Sequence, residues 1–177
     1  MNVARPKPLL RARILQQRVR ELASEITVDH RERHGDQPLA LLALMDGACC
    51  FAVDLARALT LPDVRLHFVR ASSYGAGTVS VGHVALGTLP DLSGLHVLIV
   101  DDILDTGRTM AAVRFALAPL ATRCCVLLDK PTRRLAEGTP SADYIGFTIP
   151  DLFVVGYGLD FAGRYRQLPD ICVLPQH

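Results

Sequence analysis

Apolar residues recur along this chain with two different periods. Leu15, Val19, Leu22 and Ile26 fall three and four positions apart, which puts them on one stripe of a helix. The stripe predicts an amphipathic first helix from about Leu9 to Val28. Its opposite face is basic, because Arg5, Lys7, Arg11, Arg13, Arg18 and Arg20 all precede the first acid, Glu21. The next signal is of another kind. Leu39 to Leu44 is apolar at every position, as expected of a strand covered on both faces. A helix from about Ala48 to Leu59 and a strand from Val64 to Ala71 follow. Ser72 to Gly82 is small, polar and glycine-rich and reads as a mobile loop, after which Val84 to Leu86 predicts a short strand pairing back. Val97 to Val100 is again unbroken apolar, inside the run His96 to Asp102. Gly107 to Leu120 reads as a helix stopped near Pro119, Cys124 to Leu128 as a further buried strand, and Asp143 to His177 as short strands and turns. Strands alternating with helices predict an α/β fold with a mainly parallel sheet.

Composition narrows the possibilities. A chain of 177 residues, half of them hydrophobic, is long enough to bury a core as a single domain spanning 1–177. Charged residues make up 21% and the formal net charge is +1, which excludes a disordered acidic tail, a collagen-like fibre and a strongly basic nucleic-acid binder as whole-chain readings. No repeat, low-complexity stretch or long linker divides the chain. No apolar run approaches the roughly 18 to 20 residues that span a bilayer, and the start lacks the apolar core of a secretory signal. An organelle transit peptide would also be arginine-rich and acid-poor, but serine is absent before Ser24, and the helical stripe accounts better for the segment. Cys49–Cys50 and Cys124–Cys125 are adjacent pairs, expected to point apart, and Cys172 stands alone. With no C-x-x-C spacing, they read as buried, reduced thiols of a cytosolic protein.

The informative stretch is Val97-Leu-Ile-Val-Asp-Asp-Ile-Leu-Asp-Thr-Gly-Arg-Thr109. A buried strand ends in two carboxylates, a tight turn follows, and a helix begins. Ligands of open α/β sheets sit beyond the carboxyl ends of strands. Asp105, Thr106, Gly107, Arg108 and Thr109 fall where a loop enters a helix, so exposed backbone N–H groups and the helix dipole favour a phosphate there. Asp101 and Asp102 would repel a phosphate and suit sugar hydroxyls or a hydrated magnesium ion better. Neither a G-x-x-x-x-G-K-[ST] loop nor a G-x-G-x-x-G turn is present. The aspartate-rich magnesium motif of prenyl diphosphate synthases lies on a helix, whereas these aspartates follow a β-type run. The simplest structural account of the stretch is an acidic strand-end loop with a helix cap.

This stretch resembles the phosphoribosyl-pyrophosphate-binding motif of type I phosphoribosyltransferases. Other segments, in the same order as in that family, narrow the likeness to hypoxanthine-guanine phosphoribosyltransferases: Met45-Asp-Gly-Ala with the helix through Asp54-Leu-Ala-Arg57, the loop opening Ser72-Ser-Tyr-Gly, Leu128-Asp-Lys130, and Asp143 through Phe153 and Asp160 to Arg166. The resemblance implies a parallel sheet flanked by helices, with a core of about 39–150. It implies a small hood of about 151–177, to which the N-terminal segment is a candidate contributor. It implies transfer of the 5-phosphoribosyl group from phosphoribosyl pyrophosphate to a 6-oxopurine, with magnesium required. By the same resemblance Asp105 is the acid/base residue near purine N7, Asp101 and Asp102 hold the ribose hydroxyls and magnesium, and Asp105 to Thr109 bind the 5′-phosphate. Lys130 donates to the 6-oxo group, Phe153 stacks on the base, and the Val154 backbone reads the purine edge. Asp160 serves a pyrophosphate-side magnesium. Arg166, the Asp46–Gly47 turn and, as a further candidate, Arg134 serve pyrophosphate. Ser73 and Tyr74 belong to a catalytic lid with hinge freedom at Gly75, Gly77 and Gly82. Dimers or tetramers of a cytoplasmic enzyme are implied as well.

The chain departs from the pattern at Asp46, where many members of the family have Lys; there the turn offers backbone N–H groups to pyrophosphate, in some members through a non-proline cis peptide. Arg108 likewise stands where many have Lys. Two rival readings remain at this level. One is an RNA-binding regulator on the same fold, suggested by the arginine-rich start and opposed by the near-neutral charge. The other is an enzyme preferring xanthine or adenine; Lys130 argues against adenine, whose 6-amino group offers hydrogens rather than a carbonyl.

Overall fold

The computed structural model describes residues 6–73, 84–118, 120–134 and 141–174. The predicted hinge glycines Gly75, Gly77 and Gly82, the lid residue Tyr74 and the helix stop at Pro119 lie outside them. In chain order the elements are β1 (Lys7–Leu10), α1 (Ala12–His34), β2 (Leu39–Met45), α2 (Cys49–Ala58), β3 (Val64–Ser73), β4 (Val84–Leu86), β5 (His96–Leu104), α3 (Arg108–Ala116), β6 (Thr122–Asp129), β7 (Tyr144–Thr148), β8 (Val154–Val155) and β9 (Ile171–Val173).

The larger sheet has the order β4-β3-β2-β5-β6-β7. Its last five strands run parallel, and β4 pairs antiparallel with β3. The unbroken apolar runs of β2, β5 and β6 follow from this placement, because helices cover both faces. Leu39, Leu41, Ala43, Leu98, Val100, Cys125 and Leu127 pack with α1 and α2; Ala40, Leu42, Leu44, Ile99, Cys124 and Val126 pack with Met110 and Val113 of α3. Cys124 and Cys125 thus face opposite layers, as adjacent strand residues must. Burial drives the Cys125 thiol far above its ordinary range, so it fills space rather than reacts. The expectation fails for Cys49 and Cys50. On α2 their sulfurs lie 3.8 Å apart.

The predicted first helix needs correction at both ends. Lys7 to Leu10 is a strand, with Pro8 on a sheet edge where its missing N–H is tolerated. The helix begins at Ala12, whose N–H donates to the Asp170 carboxylate at 2.8 Å. It continues past Val28 to His34 and stops at Gly35, which takes φ +63°. The third helix is shorter than expected, ending at Ala116. β5 is longer, running past the two carboxylates at which the strand was expected to end and on to Leu104.

A second sheet, β1-β9-β8, is antiparallel and forms the hood. It joins the start of the chain to its C-terminal part, with Lys7 opposite Val173 and Val154 on the other side of the same residue. Two of the arginines that suggested a basic nucleic-acid face are engaged within the fold. Arg18 donates to the Ile145 and Gly146 carbonyls and pairs with Glu21 and Glu25; Arg11 pairs with Asp170. Among the described residues no helix is long and apolar enough to cross a membrane.

At the base of the larger sheet, opposite the carboxyl ends of its strands, three imidazoles meet. His34 and His96 stack with centroids 3.5 Å apart, and His30 stands edge-on to His96 at 5.6 Å. His30 donates to the Gln37 carbonyl at 2.8 Å, and His96 lies 2.7 Å from the Gln37 side-chain oxygen. Burial, and then the neighbouring rings, hold His34 below the ordinary imidazole range; burial and His30 do the same for His96. A base whose folded pKa is depressed takes up protons more readily when unfolded. This contribution is therefore complete above about pH 6.5 and lost as pH falls below it. Melting temperatures measured from pH 7.5 to 5.5 should fall less steeply for His34→Gln than for the parent chain. Parallel slopes would show that the cluster does not couple to folding.

Candidate active site

Four loops gather at the carboxyl ends of β2, β5 and β6 and against the hood. The first follows β2. The Met45–Asp46 peptide is cis, and Gly47 leads into α2. A β-carbon at Gly47 would collide with the Asp102 carboxylate, so only glycine lets the turn and the end of β5 close on each other.

That strand end carries the acidic pair. Asp101 is 7% exposed, and both residues sit in a row of otherwise apolar side chains. The Asp102 N–H donates to the Asp101 carboxylate at 3.0 Å, and the Ile103 N–H to the Asp102 carboxylate at 2.8 Å. Each thus ties one oxygen to backbone. Burial, then the neighbouring carboxylate, push Asp101 well above the usual carboxylate range; Asp102 is raised by burial too, against its hydrogen bonds and the field of Arg166. Carboxylates are hard oxygen donors and suit magnesium, which binds through one or two of them and completes its shell with water and substrate oxygens. Among the described residues no three carboxylates, thiols or imidazoles converge into a protein-only metal site, so Asp160 is not part of one cluster with the pair.

The second loop turns through Asp105 and Thr106 into α3. Gly107 takes φ +82°, and the Ala111 N–H donates back to its carbonyl at 2.9 Å. Arg108 and Thr109 open the helix, whose first amide groups have no partner within it. This is the predicted phosphate cradle. The Asp105 carboxylate is half-exposed and accepts from Arg133 Nε at 3.0 Å.

The third loop follows β6. The Lys130 N–H donates to the Leu104 carbonyl at 3.0 Å, which ties this loop to the one bearing Asp105. Arg134 does not face the open site. Its guanidinium donates to the Leu104 carbonyl at 2.7 Å and to the Asp105 carbonyl, and it pairs with the Asp129 carboxylate. It is a brace for the two loops rather than the free pyrophosphate ligand expected. The sequence reading missed Arg133, although the run Lys130-Pro-Thr-Arg-Arg134 offered it next to the residue that was chosen.

Lys130 is 7% exposed, and its ammonium donates to the Leu152 carbonyl at 2.7 Å. Two of its three hydrogens remain for other acceptors. Phe153, 46% exposed, is not a core aromatic; its ring meets Phe161 edge-to-face at 5.6 Å. The Leu174 N–H donates to the Phe153 carbonyl at 3.1 Å, which sets Phe153 and Val155 at hydrogen-bonded positions opposite β9. By alternation the N–H and C=O of Val154 point to the free edge of β8. The Lys130 ammonium is thus anchored at Leu152, next in the chain to the exposed ring of Phe153 and the outward-facing backbone of Val154.

The fourth loop runs from Gly156 to Arg166. Gly158, at φ +101°, is seated on the Gly47 carbonyl, which a β-carbon there would strike. Arg166 donates to the Gly158 carbonyl at 2.6 Å and pairs with Asp160 at 2.9 Å and Asp46 at 3.9 Å. Asp160 also accepts from the Gly163 N–H at 2.7 Å. Ser73 ends β3.

The chain matches the family model described as phosphoribosyl transferase domain over residues 7–162. It is 42% identical over 156 residues to a hypoxanthine phosphoribosyltransferase of Haemophilus influenzae, covering 85% of each chain. Among solved structures it is similar to a hypoxanthine-guanine phosphoribosyltransferase of Bacillus anthracis, with TM-score 0.85, 37% identity, and coverage of 97% of this chain and 100% of that one. It is equally similar to a hypoxanthine phosphoribosyltransferase of Trypanosoma cruzi, with TM-score 0.85, 37% identity, and coverage of 96% and 91%. That protein was studied for the role of its C-terminal region in oligomeric state and enzymatic activity.

The contact between Gly47 and Asp102 generates a stability prediction. Gly47→Ala should lower the unfolding free energy by about 1 to 3 kcal/mol, the usual cost of overpacking. In an Asp102→Gly background the same substitution should cost much less. Urea titrations of the four chains measure the coupling; an equal cost in both backgrounds would remove Asp102 as the obstacle.

Proposed function

The chain belongs to the phosphoribosyl transferase domain family, and from that premise we propose a purine-salvage reaction. The enzyme transfers the 5-phosphoribosyl group from phosphoribosyl pyrophosphate to N9 of hypoxanthine or guanine, giving the nucleoside monophosphate and pyrophosphate. One observation supports this reading: the acidic end of β5 is tied on one side to the Lys130 loop, through the Lys130 N–H and the Leu104 carbonyl, and is packed on the other against Gly47, on which the Gly158 loop held by Arg166 is seated.

Each group has a task that its chemistry permits. The purine stacks on Phe153, its 6-oxo group accepts from Lys130, and the free N–H and C=O of Val154 address its edge. The amides of Thr106 to Thr109 and the α3 N-terminus receive the 5′-phosphate. Asp101 and Asp102 hold ribose hydroxyls. Asp105 holds or takes the N7 proton as the bond to the sugar forms, with Arg133 orienting its carboxylate. The backbone of Asp46 and Gly47, together with Arg166, receives pyrophosphate. Ser73 and Tyr74 belong to a lid that keeps water from a cationic sugar. Magnesium would be held by Asp101 and Asp102, and by Asp160 on the pyrophosphate side, where it offsets phosphate charge. The same reading assigns a single domain with a core of about 39–150 under its hood, a cytoplasmic setting suited to free thiols, and assembly as a homodimer or homotetramer.

A spectrophotometric assay with phosphoribosyl pyrophosphate, magnesium and each purine in turn tests the reaction; no pyrophosphate release with any of them would overturn it. Asp105→Asn should lower kcat by about 10²- to 10⁴-fold with little change in either KM, the range of a lost acid–base group. Lys130→Ala should instead act mainly on the purine KM, by about tenfold or more, because a carbonyl acceptor is left without its donor.

A further inference from the structure

The proposed reaction brings a polyanion to the turn after β2, yet that turn carries an acid. Asp46 does not shape the turn through its side chain. The Cys49 N–H donates to the Asp46 backbone carbonyl at 3.3 Å, and no carboxylate hydrogen bond closes the start of α2 among the described residues. Instead the two carboxylate oxygens of Asp46 face two cations, Arg166 at 3.9 Å and Arg70 at 3.5 Å.

These contacts differ in kind from the others around Arg166. The pairing with Asp160 at 2.9 Å and the hydrogen bond to the Gly158 carbonyl at 2.6 Å fix the guanidinium in place. The Asp46 contact is longer than a hydrogen bond and half-exposed, as is its other contact with the largely exposed Arg70. Such pairs are weak and readily exchanged in water. Arg166 is thus held by two close contacts and faced by one loose anion.

We propose that Asp46 is an internal counter-anion. It occupies the cationic corner formed by Arg166 and Arg70 in the free protein and gives it up when a diphosphate group enters. This rests on the phosphoribosyltransferase reading above and adds a positioning role to a residue at which the chain departs from its family. Pyrophosphate and phosphoribosyl pyrophosphate then compete with a resident carboxylate, and pyrophosphate leaves as that carboxylate returns. The charge of Asp46, not its shape, sets the effect.

Asp46→Asn keeps the shape and removes the charge. Calorimetric titration with pyrophosphate, with and without magnesium, should show binding about two- to fivefold tighter than in the parent chain, the scale of a part-exposed ion pair. The KM for phosphoribosyl pyrophosphate should fall in parallel while the KM for hypoxanthine stays fixed. Asp46→Glu should restore the parent values, and melting curves of both variants report their folding. Unchanged affinity in Asp46→Asn would overturn the proposal, and so would weaker binding confined to magnesium-containing buffer, which would make Asp46 a metal ligand. Absence of wild-type turnover with every purine would overturn the reaction and this inference together. Normal wild-type turnover with unaltered pyrophosphate affinity in Asp46→Asn would strike the counter-anion alone.

Discussion

Two carboxylates at the end of a buried strand are the constraint around which this molecule is arranged. Asp101 and Asp102 lie where the central strand of a parallel sheet leaves the core, and burial penalises their charged forms by several kcal/mol per ion when nothing compensates. The fold offsets only part of this. Backbone N–H groups satisfy one oxygen of each, and the field of Arg166 reaches Asp102. Gly47 yields the space its own side chain would fill. A sequence selected for stability alone would place apolar residues there, as it does along the rest of β5. The residual cost marks the pair as held for chemistry, since strained and uncompensated groups persist where the surroundings over-determine them.

The same constraint explains how the hood is attached. Its apolar residues, Val154, Leu159 and Ile171 among them, join the core cluster of α1, α2 and the larger sheet, and a set of polar and backbone contacts near the acidic strand end adds to that packing. Gly158 rests on the Gly47 carbonyl, Arg166 links the Gly158 loop to Asp46, and Lys130 reaches from the β6 loop to the Leu152 carbonyl. Tyr157 donates to Asp54 of α2 at 2.7 Å. At the other end Asp170 caps α1, and β1 completes the hood sheet from the start of the chain. The proposed base site and the proposed cationic corner are therefore both held where the hood meets the loops after β2 and β6.

Much of this was legible in the sequence, for a physical reason. Continuous apolar runs have few alternatives to a strand covered on both faces, so β2, β5 and β6 and the parallel α/β class could be read directly. The acidic strand end was legible because two adjacent aspartates after such a run are chemically costly and need a purpose. What escaped depends on partners distant in the chain. Leu9 and Leu10 look like the start of a helix until β9 is present to pair with the Lys7–Leu10 strand. Arg133 and Arg134 are indistinguishable as letters; only the carbonyls of Leu104 and Asp105 turn one inward and leave the other facing the Asp105 carboxylate. Cys49 and Cys50 were expected to point apart as adjacent residues, but side chains on a helix turn lean the same way along its axis.

Asp46 is the sharpest case, because its charge makes sense only in the company of residues from the hood. Four carboxylates, Asp46, Asp101, Asp102 and Asp160, surround a site proposed for a substrate that is itself strongly anionic. A site with permanently unpaired cations would bind any phosphate and release its product slowly. Here the cationic groups already have carboxylate partners at graded distances, from 2.9 Å at Asp160 to 3.9 Å at Asp46. A polyanion can enter such a site only by exchange, and the partner displaced most easily is the one with the longest, most solvated contact. Net affinity is then a difference between two ion pairs, which favours ligands able to engage several cations at once over simple phosphate.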